Sequence, residues 1–172
     1  MSNGLDVFNA YPTEELTEIL FESCHLPVRR FADAVTAARP YDSVDALVAT
    51  AQAQVADLTE DEVRSAHNGL DRIGIVYTGN DAESRWSRDE EGGIAQDAET
   101  AKAFDDANQA YEDRHGHVFL ICATGLSGDE ILSELHRRTA LDDAAENEQI
   151  KSELRGLMNV RLPKILGALA SA

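Results

Sequence analysis

Arg161 is the residue whose type and position most clearly point to chemistry, because it falls within the apolar stripe of a predicted C-terminal helix. On a helical projection, Leu154 falls at about 40° from Ile150 and Arg161 at about 20°. An arginine is almost never fully buried without an anionic partner, since leaving the charge unpaired is costly. Arg161 therefore either extends to the surface, meets a buried carboxylate of the protein, or binds the carboxylate of a ligand in a pocket.

His67 and Glu90 are the next candidates, and each has a structural as well as a chemical interpretation. His67 is predicted in the last turn of a short helix, with its ring at the mouth of a loop. There an imidazole can stabilise the helix dipole, but its ordinary pKa of about 6.5 also suits proton exchange near neutral pH. Glu90 follows Ser87 at the spacing of a capping box, which is a purely local device.

Other chemistry-bearing patterns do not occur in the sequence. It contains no glycine-rich phosphate loop, no nucleophile elbow and no zinc signature, so no metal site is predicted. Cys24 and Cys122 are far apart and are interpreted as buried small hydrophobic residues rather than a disulfide framework. Surface or core roles suffice for the four remaining histidines, which lack metal-ligand spacing: His25, His115, His117 and His136.

The charge balance restricts the classes of partner. With 15 basic and 32 acidic residues, the chain of 172 residues has a formal net charge of −17. Such a field repels phosphate backbones and anionic membrane surfaces, so neither nucleic acid nor a membrane is an expected partner. The sequence has no apolar run of about 20 residues and no recognisable secretion signal, and we expect a cytoplasmic protein.

Apolar residues at helical spacing indicate that helices position these side chains. The only strand-like run, residues 118–123, cannot form a sheet alone and is predicted to be a buried extended segment. We therefore expect an all-α fold in one domain, residues 1–172. The predicted helices begin after Pro12, near Val28 (ending at Arg39-Pro40), at Val44, at the capping boxes of Thr59, Ser87 and Ser127, before Ala101 (ending at His115-Gly116), and near Asp143.

Short motifs, in the same order along nearly the whole chain, resemble those of one enzyme family. Arg39-Pro40-Tyr41 resembles its Arg-Pro-Phe turn, and Ala66-His67 resembles the start of its Ala-His-Pro motif. The other similar segments are Phe8-Asn9-Ala10 with 21–24, Trp86 to Glu90 (Ser-x-x-Glu-Gln), Asn108 to Ala123 (Asn-x-x-Tyr, Gly, Phe-x-Ile) and Val160-Arg161-Leu162 (Ile-Arg-Leu). The family that these motifs resemble is that of the 2-oxo-4-hydroxy-4-carboxy-5-ureidoimidazoline (OHCU) decarboxylases.

The resemblance implies a single helical bundle that forms a homodimer, needs no cofactor, and catalyses the last step of urate conversion to (S)-allantoin. It implies that His67 is the proton donor, that Arg161 holds the anionic group, and that Glu90 orients the substrate. Such a reaction suits these residue types, because the substrate ring can delocalise the electrons that decarboxylation leaves behind. The substrate-binding residues implied are Asn68, the loop of Ser87, Arg88, Asp89 and Glu91, and the segment of Phe119, Leu120, Ile121, Cys122 and Ala123.

The sequence also departs from the family pattern near these positions. Asn68 stands where the family has proline, residues 69–71 resemble an insertion, and Glu91 replaces a glutamine. An acceptor-only carboxylate at position 91 would repel an anionic substrate. Two alternatives therefore accompany the urate-pathway reading. One is a lyase acting on a different small heterocyclic or ureido acid, and the other is a catalytically silent helical protein used for dimerisation or binding.

Overall fold

The fold is all-α, as the sequence predicts. A computed structural model describes residues 3–74 and 97–172, and within these ranges the chain forms eight helices and no strand. The helix predicted to begin at Ser87, and with it Ser87, Arg88, Asp89, Glu90 and Glu91, lies outside the described residues. The helices are α1 (Gly4–Ala10), α2 (Thr13–Ser23), α3 (Arg29–Ala37), α4 (Val44–Ala56), α5 (Glu60–Ser65), α6 (Ala98–His115), α7 (Gly128–Thr139) and α8 (Asp143–Ser171).

Local capping explains where several of these helices begin. The capping boxes predicted at Thr59 and Ser127 are both confirmed: each hydroxyl accepts the backbone N–H three residues on, and Glu62 or Glu130 reaches back to the cap. The side chain of Ser43 caps α4 in the simpler way, by accepting the N–H of residue 46. Each cap satisfies an orphan donor of the first turn and contributes about 1 kcal/mol.

The chain divides into two compact units, the first made of Met1–Ala66 with Lys151–Ala172 and the second of His67–Ile150. In the first unit, α2 packs against α3 and α3 against α4. Gly4 allows a close approach there, since a Cβ atom at this position would lie 2.4 Å from the carbonyl oxygen of Leu166. That the whole chain is one domain stays a prediction.

In the second unit, α6 packs against α7 around one apolar core. Residues 118–123, which connect α6 to α7, are neither helix nor strand. The predicted burial of this segment is confirmed only for Phe119, Leu120 and Ala123, since its other residues are half-buried. No helix in the described parts of the chain is long and apolar enough to cross a membrane. The buried core residues are Ile73, Phe104, Ala107, Tyr111, Phe119, Ala123, Ile131 and Leu135.

One prediction about the cysteines is partly wrong. Cys24 is fully buried as expected, but Cys122 is only half-buried. Cys122 lies in the irregular segment 118–123, in which Phe119, Leu120 and Ala123 are buried and the other residues are partly exposed. Neither cysteine takes part in a disulfide.

Candidate active site

His67 lies in a turn just after α5, rather than in the last turn of that helix as predicted. The helix ends at Ser65 because the backbone N–H of Ala66 bonds to the carbonyl of Val63, a three-residue spacing that tightens and closes the helix early. Gly69 has the left-handed φ of +72° that the sequence suggests, but it closes the turn after His67 instead of capping the helix. Asn68, in the same turn, is exposed.

His67 is half-buried as a residue, but its polar atoms are enclosed. Its two ring nitrogens are both buried, and neither has a hydrogen-bond partner among residues 3–74 and 97–172. The ring stacks on that of His117, with 4.0 Å between ring centroids and 23° between ring planes. Because a buried polar group without a partner costs about 1–3 kcal/mol, a folded protein rarely keeps one without a use for it.

The surroundings of His67 hold it in the neutral form. Burial is the largest effect and the nearby charge of His117 the second, and together with Arg138 they lower the pKa of His67 to about 3, against an opposing effect of the Val118 backbone. A helix-dipole role would have raised this pKa instead. The imidazole is therefore neutral at neutral pH, so one ring nitrogen can donate a hydrogen bond and the other can accept one.

His117 owes its position to the end of α6. Gly116 caps that helix with φ +77°, a left-handed conformation that turns the chain after His115. The Nδ1 atom of His117 lies 3.2 Å from the carbonyl oxygen of Val118, which fixes the ring. Two further rings of the same region flank it: that of His115, stacked at 6.0 Å, and that of Tyr111, edge-on at 5.6 Å.

A buried ion pair lies close to these rings. Arg138 and Glu146 are 0% and 1% exposed, and the Arg138 Nη2 atom donates to the Glu146 carboxylate at 2.5 Å. The Tyr111 hydroxyl donates to the same carboxylate, and burial and this carboxylate raise the pKa of Tyr111. His115 Nε2 lies 3.0 Å from the carbonyl oxygen of Arg138. The cluster, named here the Arg138–Glu146 cluster, comprises Tyr111, Arg138 and Glu146.

This cluster also anchors the segment that the family resemblance assigns to substrate binding. The carbonyl of Leu120 accepts a hydrogen bond from Arg138 Nη1 at 2.8 Å, and the guanidinium lies 4.4 Å above the centroid of the Phe119 ring. Phe119, Leu120 and Ala123 are buried, while Ile121 and Cys122 are partly exposed. The segment is thus held at fixed points although it has no regular secondary structure.

Arg161 is fully buried within α8, which confirms its predicted place on the apolar face. Its Nη2 atom lies 2.6 Å from Nε2 of His25, and its Nη1 atom lies 3.5 Å from the carbonyl oxygen of Ser23. A guanidinium can only donate, so this His25 nitrogen accepts and the ring proton of His25 is on Nδ1. His25 has a φ of +53°, which is uncommon outside glycine. Arg161 and His25 both belong to the first unit.

The structure brings together several residues that sequence reasoning missed. His115 and His117 were assigned surface or core roles, yet their rings stand beside that of His67. The spacing of these two histidines in the sequence does not indicate that their rings lie near His67, because that closeness depends on a tertiary contact. Arg138 did carry a signal: it follows Leu135 by three residues and Ile131 by seven, which places it on the apolar face of α7, as the same reasoning placed Arg161.

Within the described residues, no group of His, Cys, Asp and Glu is arranged to hold a metal ion.

Comparison with known proteins gives the family of this all-α chain. The sequence model of OHCU decarboxylases matches residues 9–163. The chain therefore belongs to the OHCU decarboxylase family, which consists of carboxy-lyases. Comparison with curated protein sequences gives no significant match.

Two solved structures show the same fold. A crystal structure of an OHCU decarboxylase, determined in the presence of (S)-allantoin, has a TM-score of 0.70 and 18% identity over 88% of this chain and 98% of that chain. A crystal structure of an (S)-allantoin synthase has a TM-score of 0.69 and 14% identity over 96% of this chain. The present chain spans about half of that synthase chain, 54%.

Proposed function

We propose that this protein decarboxylates OHCU to (S)-allantoin in urate degradation. The observation that carries the proposal is the state of His67, an imidazole whose two buried nitrogens have no described hydrogen-bond partner. A neutral imidazole with two unoccupied nitrogens can accept a proton from one substrate atom and return it to another. Family membership supports the reaction class.

The reaction needs this kind of proton carrier. OHCU bears a hydroxyl and a carboxylate on one ring carbon; when CO₂ leaves, the electron pair of the broken carbon–carbon bond enters the conjugated ring. A ring nitrogen then takes a proton from water, the hydroxyl loses its proton to become a carbonyl, and the neighbouring carbon gains one. His67 takes the hydroxyl proton and delivers a proton to that carbon, which refines its expected role as a simple proton donor. A positioned acid–base group contributes about 10²–10⁴-fold in rate.

The other residues are assigned binding roles in this proposal. Arg161 holds the anionic group, for which a planar guanidinium with parallel donors is suited. Glu90 orients the substrate. Asn68, residues 87–91 and the segment 119–123 contribute further substrate contacts. We also propose that the enzyme works as a cytoplasmic homodimer without a cofactor or metal.

The test is a coupled assay in which OHCU is generated in place from urate, and its decay is followed together with the circular dichroism of the allantoin formed. We expect the wild-type protein to accelerate the decay and to give one enantiomer. His67→Gln and Arg161→Gln should both return the trace to the spontaneous, racemic reaction. His136→Gln is the matched control, because His136 is exposed on α7. A wild-type trace identical to the spontaneous reaction would refute the proposal and direct attention to other heterocyclic or ureido acids.

A further inference from the structure

We propose that His117 is a positioning residue for the decarboxylation: its ring fixes the plane of the His67 ring by stacking, and the two stacked imidazoles take up no more than one added proton between them. The inference rests on the proposed function, since it assigns a role to His117 only through His67. His117 itself is not placed against the substrate.

The first support is the geometry of the two rings. Their centroids are 4.0 Å apart and their planes differ by 23°, so they lie face to face in van der Waals contact. Neither His67 nitrogen makes a hydrogen bond of good geometry in the described chain, although the Val118 backbone lies close enough to act on the ring. Stacking against His117 is therefore the described ring contact that fixes the plane of the His67 ring.

The second support is that His117 is itself held rigidly. Its Nδ1 atom is 3.2 Å from the Val118 carbonyl oxygen, and the rings of His115 and Tyr111 from α6 lie on its other sides. A ring held by a hydrogen bond and by two neighbouring rings can serve as a template for a third ring. A flexible side chain could not.

The third support is the set of charges around the pair. From α6 these are His115 and Tyr111, from α7 Arg138, and from α8 Glu146, which acts on His117. Arg138 is already paired with the Glu146 carboxylate at 2.5 Å, so the positive charge of Arg138 is largely neutralised. Two stacked imidazoles at 4.0 Å cannot both carry a proton cheaply, because like charges in a buried site repel. A proton taken by His117, the less buried ring, thus keeps His67 neutral.

The two roles are separated by two substitutions. His117→Phe keeps a flat stacking ring and removes the ionisable nitrogens, whereas His117→Ala removes both. At pH 8 we expect His117→Phe to keep kcat within about threefold of wild type and His117→Ala to lose about tenfold or more, with KM changed little, because orientation errors act on the chemical step. As the pH falls from 8 to 5, kcat/KM of His117→Phe should fall more steeply than that of wild type. His136→Gln should follow the wild-type profile.

Protonation is followed directly by NMR of the histidine rings in the free proteins. In His117→Phe we expect the His67 resonances to titrate at a higher pH than in wild type. The inference is overturned if both substitutions leave the pH profile and the His67 titration unchanged, or if His117→Phe loses as much kcat at pH 8 as His117→Ala. Failure of the proposed function looks different: the wild-type protein would then not accelerate OHCU decay at all, whatever the rings of His67 and His117 do in the free protein.

Discussion

The Arg138–Glu146 cluster and the His67–His117 pair belong to the same unit, but the polar groups of the cluster are hydrogen-bonded and those of His67 are not. In the cluster, the Glu146 carboxylate accepts from Arg138 and Tyr111, and Arg138 also donates to the Leu120 carbonyl. In the pair, neither nitrogen of His67 has a partner in the described chain.

The contrast separates structural from functional burial. A buried charge that is fully paired fixes the surrounding backbone and leaves nothing for a ligand. A buried imidazole with unoccupied nitrogens costs stability, and that cost is understandable when a substrate supplies the missing partner. The cluster therefore holds the site together, and the His67–His117 pair is where we expect chemistry.

The largest effect on activity should come from substitution of His67, whose ring nitrogens have no described hydrogen-bond partner. We expect His67→Gln to lower kcat/KM for OHCU by about 10²–10⁴-fold, because the acid–base group is lost. Its free energy of unfolding at neutral pH should not fall by more than about 1 kcal/mol, since no described hydrogen bond is broken. Steady-state kinetics and urea denaturation test both halves. Retention of activity, or a large loss of stability, in His67→Gln would contradict the distinction between a functional His67 and a structural Arg138–Glu146 cluster.

The opposite result is expected in the cluster. Glu146→Leu should lower the free energy of unfolding by about 3–5 kcal/mol, because it leaves the fully buried Arg138 without its carboxylate. Arg138→Met combined with Glu146→Leu should recover much of this loss. Urea denaturation of the two single variants and of the double variant gives a double-mutant cycle. If the losses in free energy of unfolding of the two single variants simply add in the double variant, Arg138 and Glu146 do not act as a pair.

Stability should depend on pH through His67. Its pKa is about 3 in the folded chain and about 6.5 when unfolded, so between these values the unfolded state binds one more proton. The free energy of unfolding of the wild type should therefore fall, relative to that of His67→Phe, by up to about 1.4 kcal/mol for each pH unit below about 6. Parallel pH–stability curves for the two proteins would mean that His67 titrates normally.

The smallest effect is expected for Tyr111→Phe. This change removes one hydrogen bond to Glu146, while Arg138 still holds the carboxylate, so we expect a loss of about 1–2 kcal/mol. Thermal or urea unfolding measures it. Because Tyr111 also stands edge-on to His117 and Phe keeps that ring contact, kcat at pH 8 should stay within about twofold of wild type. A much larger loss in kcat would place the cluster in the chemistry.

Helices and caps were predictable because their determinants are local. The hydroxyls of Thr59 and Ser127, the glycine after His115, and the spacing of apolar residues each act within one or two turns. The sequence predicts an end of α5 two residues too late, because the hydrogen bond from the Ala66 N–H to the Val63 carbonyl has no distinct sequence signal.

The site was predictable only in part. The burial of Arg161 was predictable from its place on the apolar face of a helix, and Arg138 has the same kind of position. The partner of each arginine was not predictable, because His25 and Glu146 meet them through tertiary packing. His117 carries no pattern at all, and its role emerges only where the turn at Gly116 brings it against His67. Glu90 rests on the family resemblance.

The most direct test of the central claim is the NMR titration of the His67 ring in the wild-type protein, from pH 8 down to the onset of acid unfolding. The account predicts that its ring nitrogens keep the chemical shifts of a neutral imidazole throughout, to at least about pH 5. A His67 titration with a midpoint near 6.5 would contradict it, because the ring would then be solvated and not poised as a neutral proton acceptor.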